Sequence, residues 1–352
     1  MVRQNLTLLE WTDAAAWDTF VRAHAESRYC QLFGYGSVVS SYYNIYRPRA
    51  LAFVRNGELV GVLPAAEVFS VLYGRRLVSQ PFSEYGGMLL HPELSKEEVQ
   101  AALHALRTYL TRLGRPLEIH GNHGLASLSG GEHVGQIACM RLTPDTETLW
   151  RSVLKPSVRN KVKQAQNHGV TASFDNSEAI LRQGFFPLYL KSMKRLGVPP
   201  HQFAYYTRSR AVFGDDMLLA IARAADGTPI AGLLGFSCGS RVSIINSVSD
   251  DAHWNLRAND LLHWEMIRRS AETGHHIFDF GSVRYEGQST YKKKWGAEFT
   301  NHRNYLLSGN RSQVMIRSSS DRMKLMGRLW SKYVPDPIGR RLGPIIRGQL
   351  AR

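Results

Sequence analysis

Cysteine is scarce in this chain. Cys30, Cys139 and Cys238 stand singly with no Cys-x-x-Cys spacing, which excludes a disulfide framework and a zinc knuckle. Long apolar runs are missing as well: no uninterrupted stretch approaches the ~20 residues a membrane-spanning helix needs. Met1-Val2-Arg3-Gln4-Asn5 leads into Leu-Leu-Glu-Trp without the apolar core of a secretory signal, so the expected compartment is the cytoplasm. His120 and His123 lack a third ligand at workable spacing, which argues against a metal centre. Acidic residues are outnumbered, 29 against 44 Lys and Arg, for a net charge of +15. About +8 of that charge falls in the last 42 residues. Such a balance favours polyanionic partners: nucleic acid, anionic headgroups or phosphorylated substrates.

What the chain does have is internal repetition. Its 352 residues, 43% hydrophobic and 21% charged, are enough for two packed domains. "ALAFVRNGELVGVLPAAEVFS" reads as strand, Asn56-Gly57 turn, strand, and "MLLAIARAADGTPIAGLLGFS" repeats the plan with Asp226-Gly227 at the turn. Each hairpin is followed by another extended stretch, a helix, a glycine, and a strand ending in glycine. The first helix opens at Ser95 and carries Val99, Leu103, Leu106 and Leu110; its counterpart begins near Asn259-Asp260 with Leu262, Met266 and Ile267. Gly114 to Gly274 and Gly121 to Gly281 share one offset of 160 residues. Hairpin, strand, helix, strand is the order of the acetyltransferase (GNAT) fold. The expectation is therefore an α/β protein of tandem duplicated GNAT-like (acyl-CoA N-acyltransferase) domains, with mixed sheets flanked by helices and a cleft between the halves. The expected bounds are 1–145, 146–310 and a basic amphipathic tail over 311–352. Two further helices are predicted between the repeats, one basic after Pro156 and ending at Gly169, the other from Ser177 to Arg195.

Five stretches resemble the Fem family of peptidoglycan-bridge aminoacyltransferases, and more closely the FemAB-like proteins associated with PEP-CTERM and exopolysaccharide systems. They are Gly61 to Gly87, Pro156 to Val170, Leu196 to Tyr206, "NDLLHWEMIRRSAETGHHIFDFGS" from Asn259 to Ser282, and "GQSTYKKKWGAEF" from Gly287 to Phe299. Family members commonly have Arg where Ser282 stands, and Phe-Lys where this chain has Tyr291-Lys292. The long helical hairpin that bridge-forming members insert in the second half, thought to help with tRNA, has no room here beyond one ordinary helix. The resemblance implies transfer of an acyl or aminoacyl group to an amine of a cell-envelope precursor or exopolysaccharide. The donor would be aminoacyl-tRNA or acyl-CoA, with no other cofactor, and the acceptor a phosphorylated or lipid-linked precursor.

Acyl transfer to an amine needs two oriented substrates and a stabilised oxyanion. Lys292 matches the family's Phe-Lys position and is the first catalytic candidate; the other reading of Lys292, Lys293 and Lys294 is a solvated strand edge. Asp279 ends an apolar strand, where α/β sheets face their sites, and could accept an ammonium or orient Lys292; alternatively it caps the turn before Gly281. Gly281 permits close backbone approach, and Tyr291 lies beside Lys292 in the matched motif. Arg159 and Lys161 could hold a diphosphate, whereas Lys163 reads as a solvated face. His201 and Tyr205 fall where the family binds the precursor's phosphates and stem. Glu84 and Tyr85, before Gly86-Gly87, line the expected cleft or form a bulge.

Two other functions compete. A CoA-dependent N-acetyltransferase would carry a glycine-bearing pyrophosphate loop before the helix of its second half. "DDAHWNLRANDLL", Asp250 to Leu262, has no glycine and opens on two acidic residues. A non-catalytic nucleic-acid-binding or scaffold protein would want more interleaved aromatics than are present. In the tail, Met323, Met326, Trp330 and Tyr333 fall at helical spacing, with Arg322, Lys324, Arg328 and Lys332 off that line and Pro335 and Pro337 closing it. A basic amphipathic segment of this kind reads either as an inner-membrane surface contact or as a helix docked on the second domain.

Overall fold

The computed structural model describes residues 6–40, 44–121, 131–283, 286–308 and 320–351; His123 lies outside them, and so do the side chains of Arg322, Met323 and Lys324. The chain forms two compact units. One comprises Met1–Val134, His302–Arg317 and Gly348–Arg352, the other Gly135–Asn301 and Ser318–Arg347.

In the first unit, β1 (Leu6–Glu10) is followed by α1 (Ala14–Ala23) and α2 (Phe33–Ser40), then by the hairpin of β2 (Tyr46–Arg55) and β3 (Glu58–Ser70). Asn56 and Gly57 both take positive φ, +52° and +89°, which is what a two-residue hairpin turn requires. Then come β4 (Gly74–Ser79), the short β5 (Leu89–Leu90), α3 (Lys96–Leu113) and β6 (Leu117–Ile119). α3 has its predicted ends: Ser95 and Glu98 form a reciprocal capping box, and Gly114 closes it at φ +64°. Leu103, Leu106 and Leu110 of α3 pack with Leu51, Phe53, Leu63 and Leu77 of the strands.

The second unit opens with β7 (Glu132–Arg141), the turn α4 (Thr146–Thr148), α5 (Pro156–Asn167) and β8 (Thr171–Phe174). Where one helix was expected from Ser177 to Arg195 there are α6 (Glu178–Ile180), a wide π turn over Leu181–Phe185, and α7 (Phe186–Leu196). Pro187 has no amide hydrogen to give the preceding turn, so the regular ladder is interrupted there. α8 (Phe203–Phe213), not foreseen from the sequence, leads into β9 (Met217–Arg223), β10 (Pro229–Cys238), β11 (Arg241–Ser249), α9 (Ala258–Glu272), β12 (Ile277–Val283), α10 (Glu286–Lys293) and β13 (Glu298–Leu307). The chain ends in α11 (Ser320–Tyr333) and α12 (Asp336–Leu350). α12 was missed because it contains three glycines and Pro344. Packing overrides that poor propensity: a Cβ on Gly343 would lie 2.4 Å from the Pro200 ring.

The strand orders match position by position. The first sheet runs β1-β2-β3-β4-β6-β13 and the second β8-β9-β10-β11-β12-β7. In each, antiparallel neighbours give way to one parallel pair, β4 with β6 and β11 with β12. The sixth strand closes each sheet antiparallel: β13 on β6 through Tyr305↔Ile119, and β7 on β12 through Arg141↔Ile277. The duplicated mixed α/β fold expected from the repeats is present, but each sixth strand is encoded next to the other repeat. For that reason residues 135–145 group with the second unit and residues 302–310 with the first, rather than splitting at 145 and 310. Among the described residues no helix is long and apolar enough to cross a membrane.

Candidate functional site

The second unit concentrates the matched motifs on β12, α9 and α10. β11 and β12 pair in parallel only as far as Ser243↔Asp279. On its other side β12 pairs with β7, and the register slips between Asp279↔Cys139 and Ser282↔Ile137, so Phe280 and Gly281 together oppose Ala138. This is a β-bulge, and Gly281 takes φ +77° to make it.

Lys292 is on the last turn of α10, not on a strand edge. Its ammonium donates to the carbonyls of Phe280 (2.7 Å) and Gly281 (3.0 Å) in the bulge and of Ser282 (2.7 Å) next to it. An ammonium has three protons to give, and these three carbonyls are placed to accept them. Lys292 therefore ties α10 to the bulged part of β12.

Asp279 is fully buried. It accepts the Gly281 amide at 2.8 Å and pairs with the buried Arg241 at 3.7 Å. The turn-capping alternative is the one this geometry displays, and an Asp279 that meets substrate is not. Tyr291, on the turn before Lys292, packs edge-on to His263 with ring centroids 5.5 Å apart.

Two residues of α9 belong to this constellation and were not singled out from the sequence. His263 stacks on Phe280, and its Nδ1 lies 2.8 Å from the Asn259 carbonyl and 3.2 Å from the Tyr291 hydroxyl. A carbonyl can only accept, so Nδ1 carries the proton and Nε2 is the acceptor. Burial, opposed by the Asn259 bond and aided by the Lys292 charge, brings the His263 pKa to about 4, so the ring is neutral at pH 7. Asp260 is 7% exposed, and its Oδ1 makes no hydrogen bond. Burial raises its pKa against the pull of Lys161, Arg257 and Lys294. A signal was available: Asp260, His263, Ile267 and Ala271 share one helical face, so two titratable groups sit on a buried stripe.

The remaining candidates divide. Lys161, half-buried, acts on Asp260 as just described, while Lys163 is solvent-exposed. Arg159 donates through one nitrogen to the carbonyls of Trp150, Arg151 and Leu154, closing the π turn before α5. His201 is corrected: it is 6% exposed and stacked on Tyr205 at 4.2 Å. Its Nε2 lies 3.0 Å from Arg347 Nε, a nitrogen that can only donate. Burial and the Arg347 charge hold its pKa well below the usual histidine value, so it offers no cation to a phosphate. Tyr205 is buried in the same stack.

In the first unit, Tyr85, Gly86 and Gly87 line a small concavity of about 40 Å³ with His24, Arg28 and Gln31. The Arg28 guanidinium lies 4.0 Å over the Tyr85 ring. Glu84 is half-buried and is not among the residues of that wall. His120 is fixed between Ser83 O and Glu118, and no cluster of three metal-ligating side chains occurs among the described residues.

Residues 154–293, which hold α5 through α10, match the acetyltransferase (GNAT) domain family. Over the whole chain the structure is similar to that of FemX: 15% identity, 85% of this chain and 97% of that one covered, TM-score 0.68. It is also similar to a tandem GNAT protein from the clavulanic acid biosynthesis pathway (13% identity, 88% and 100% covered, TM-score 0.53). A third similar structure is the C-terminal domain of a putative lysylphosphatidylglycerol synthetase from Agrobacterium fabrum (13% identity, 76% and 84% covered, TM-score 0.50). No curated protein matches the chain in sequence. Residues 154–293 are thus similar to the acetyltransferase (GNAT) domain family, and the chain has a tandem GNAT fold like those of FemX and the clavulanic acid pathway protein.

Proposed function

We propose that the protein transfers an acyl or aminoacyl group to an amine of a phosphorylated or lipid-linked cell-envelope precursor or exopolysaccharide, working at the inner face of the membrane. The observation that carries this reading is the lysine-bound bulge of β12 inside the matched GNAT domain. An amine attacking an acyl carbonyl creates an oxyanion, and a fixed cation in a poorly hydrated wall lowers its energy. Lys292 supplies that charge. Phe280, Tyr291 and Trp295 keep the surroundings apolar, and the Nε2 acceptor of His263 is the nearby group able to receive a proton from the attacking amine.

The substrate class rests on charge and likeness. FemX and a putative lysylphosphatidylglycerol synthetase share the fold, and a net charge of +15 suits a phosphate-bearing acceptor. The donor is aminoacyl-tRNA or acyl-CoA; the domain family favours acyl-CoA, whereas the absence of glycine from Asp250 to Leu262 favours a donor without a CoA pyrophosphate.

Mass spectrometry of envelope precursors and surface polysaccharide from a deletion strain tests the reading. The expected result is one missing acyl or aminoacyl mass, restored by the wild-type gene and not by a Lys292→Met copy. An unchanged mass profile would overturn it.

A further inference from the structure

Among the described residues, seven of the thirteen exposed large apolar side chains fall between Leu325 and Ile345. On α11 they are Leu325, Met326, Leu329 and Tyr333, spaced i, i+1, i+4 and i+8, which is one face. On α12 they are Ile338, Leu342 and Ile345, spaced i, i+4 and i+7. All seven are between 47% and 65% exposed.

The packing of the same two helices explains why those faces point outward. α11 sits on the end of α7 through Gly327, where a Cβ on Gly197 would lie 2.3 Å from the Gly327 carbonyl. Lys194 of α7 donates to the Trp330 and Val334 carbonyls. α12 is fixed by Gly343 against Pro200 and by Arg347 on His201 and the Pro199 carbonyl. Trp330, counted from the sequence with the outer stripe, turns in and packs against Gly339. Docking on the unit therefore uses the face opposite the apolar residues and leaves those residues to water.

The charge around the stripe is of one sign. Arg328, Lys332, Arg340 and Arg341 are all exposed, and Asp336 is the one acidic residue from Leu325 to Ile345. An apolar strip with Arg328, Lys332 and Arg341 along one side complements a surface that is negative at the top and hydrocarbon beneath.

We propose that the outer face of α11 and α12 binds the surface of an anionic lipid bilayer, with Leu325, Met326, Leu329 and Ile345 entering the acyl boundary and Arg328, Lys332 and Arg341 meeting phosphate headgroups. A second copy of the chain is a poorer occupant, since two such faces would bring like charges together. No residue of the Lys292 bulge takes part, so this inference stands or falls separately from the transfer reaction.

The test is co-sedimentation of the purified full chain with vesicles of phosphatidylcholine alone or mixed with phosphatidylglycerol. Three basic residues predict binding on the order of a hundredfold tighter to the mixed vesicles, weakening as salt is added. Leu329→Glu combined with Ile345→Glu abolishes binding to both; Arg328→Glu combined with Arg341→Glu abolishes the preference for anionic lipid. All four positions are solvent-exposed, so melting temperatures stay at the wild-type value. Equal or absent binding to the two vesicle types overturns the proposal. So does light scattering that shows a dimer broken by the apolar pair while lipid binding is unchanged.

Discussion

Gly121 and Gly281 are 160 residues apart in the two repeats, Gly121 just beyond β6 and Gly281 within β12, and each has positive φ, +51° and +77°. Their surroundings differ. A Cβ on Gly121 would lie 2.2 Å from the His302 ring and 2.9 Å from the Glu84 carbonyl, so the first position is filled by its own unit. A Cβ on Gly281 would meet only the Ile244 carbonyl, at 3.3 Å, and the carbonyls beside it converge on Lys292 instead. Duplication kept the backbone conformation at both strand ends. It kept a charged, lysine-bound bulge at one of them.

The sharpest way to break this comparison is to remove the lysine. Lys292→Met leaves three converging carbonyls without a donor, at about 1–3 kcal/mol for each unmet group, so urea unfolding should show a loss of at least about 3 kcal/mol. Transfer activity should fall beyond what the unfolded fraction explains. If stability is unchanged, the bulge does not depend on the lysine and the contrast between the two ends dissolves.

The glycines come next. Gly121→Ala forces a clash with ring and backbone as well as an unfavourable φ, with an expected cost of about 3 kcal/mol in thermal or urea melts. Gly281→Ala faces chiefly the φ penalty, about 1–2 kcal/mol. Equal costs would mean the two ends are packed alike.

The histidines whose pKa is depressed lie in the second unit. His263 titrates near 4 in the fold and near 6.5 in the unfolded chain, and His201 is depressed in the same sense. The unfolded chain thus binds protons first as pH falls below about 6.5, and stability present above that pH is lost toward pH 4. His263 alone accounts for about 3 kcal/mol across that window. Urea melts at pH 7 and pH 5 of wild type and His263→Gln should show a smaller decline in the variant.

The smallest contrast is at the helix starts. α3 is capped by Ser95, whereas the cap position of α9 is Arg257, at φ +58° and without a side-chain capping bond. Ser95→Ala should cost about 1 kcal/mol, and Arg257→Gly should gain up to about 1 kcal/mol by relieving the left-handed conformation. Thermal melts of the pair check both signs.

These differences also mark what the sequence could reveal. The Asn56-Gly57 turn, the Ser95–Glu98 box and the glycines 160 residues apart are local signals, and the hairpins, α3 and the duplicated order follow from them. The bulge was legible only as a glycine after an apolar strand. That Lys292 would give its protons to that strand, that Arg159 would close a π turn, or that His201 would be buried against Arg347 depends on partners from 5 to 146 residues away. Periodicity carries no information about such pairings. α12 was hidden for the opposite reason: its local preferences point away from a helix and only its packing makes one.

The exchange of sixth strands bears on how the protein is made. Tyr305 and Leu307 of β13 belong to the first unit's core and pair with Ile119 and Leu117 of β6. A ribosome must therefore deliver more than 300 residues before the earliest-synthesised sheet receives its last strand. Until then the end of β6 is an unpaired edge. A gene cut after the first repeat would encode that open edge permanently, so expressing the halves separately should yield an aggregation-prone fragment rather than half an enzyme.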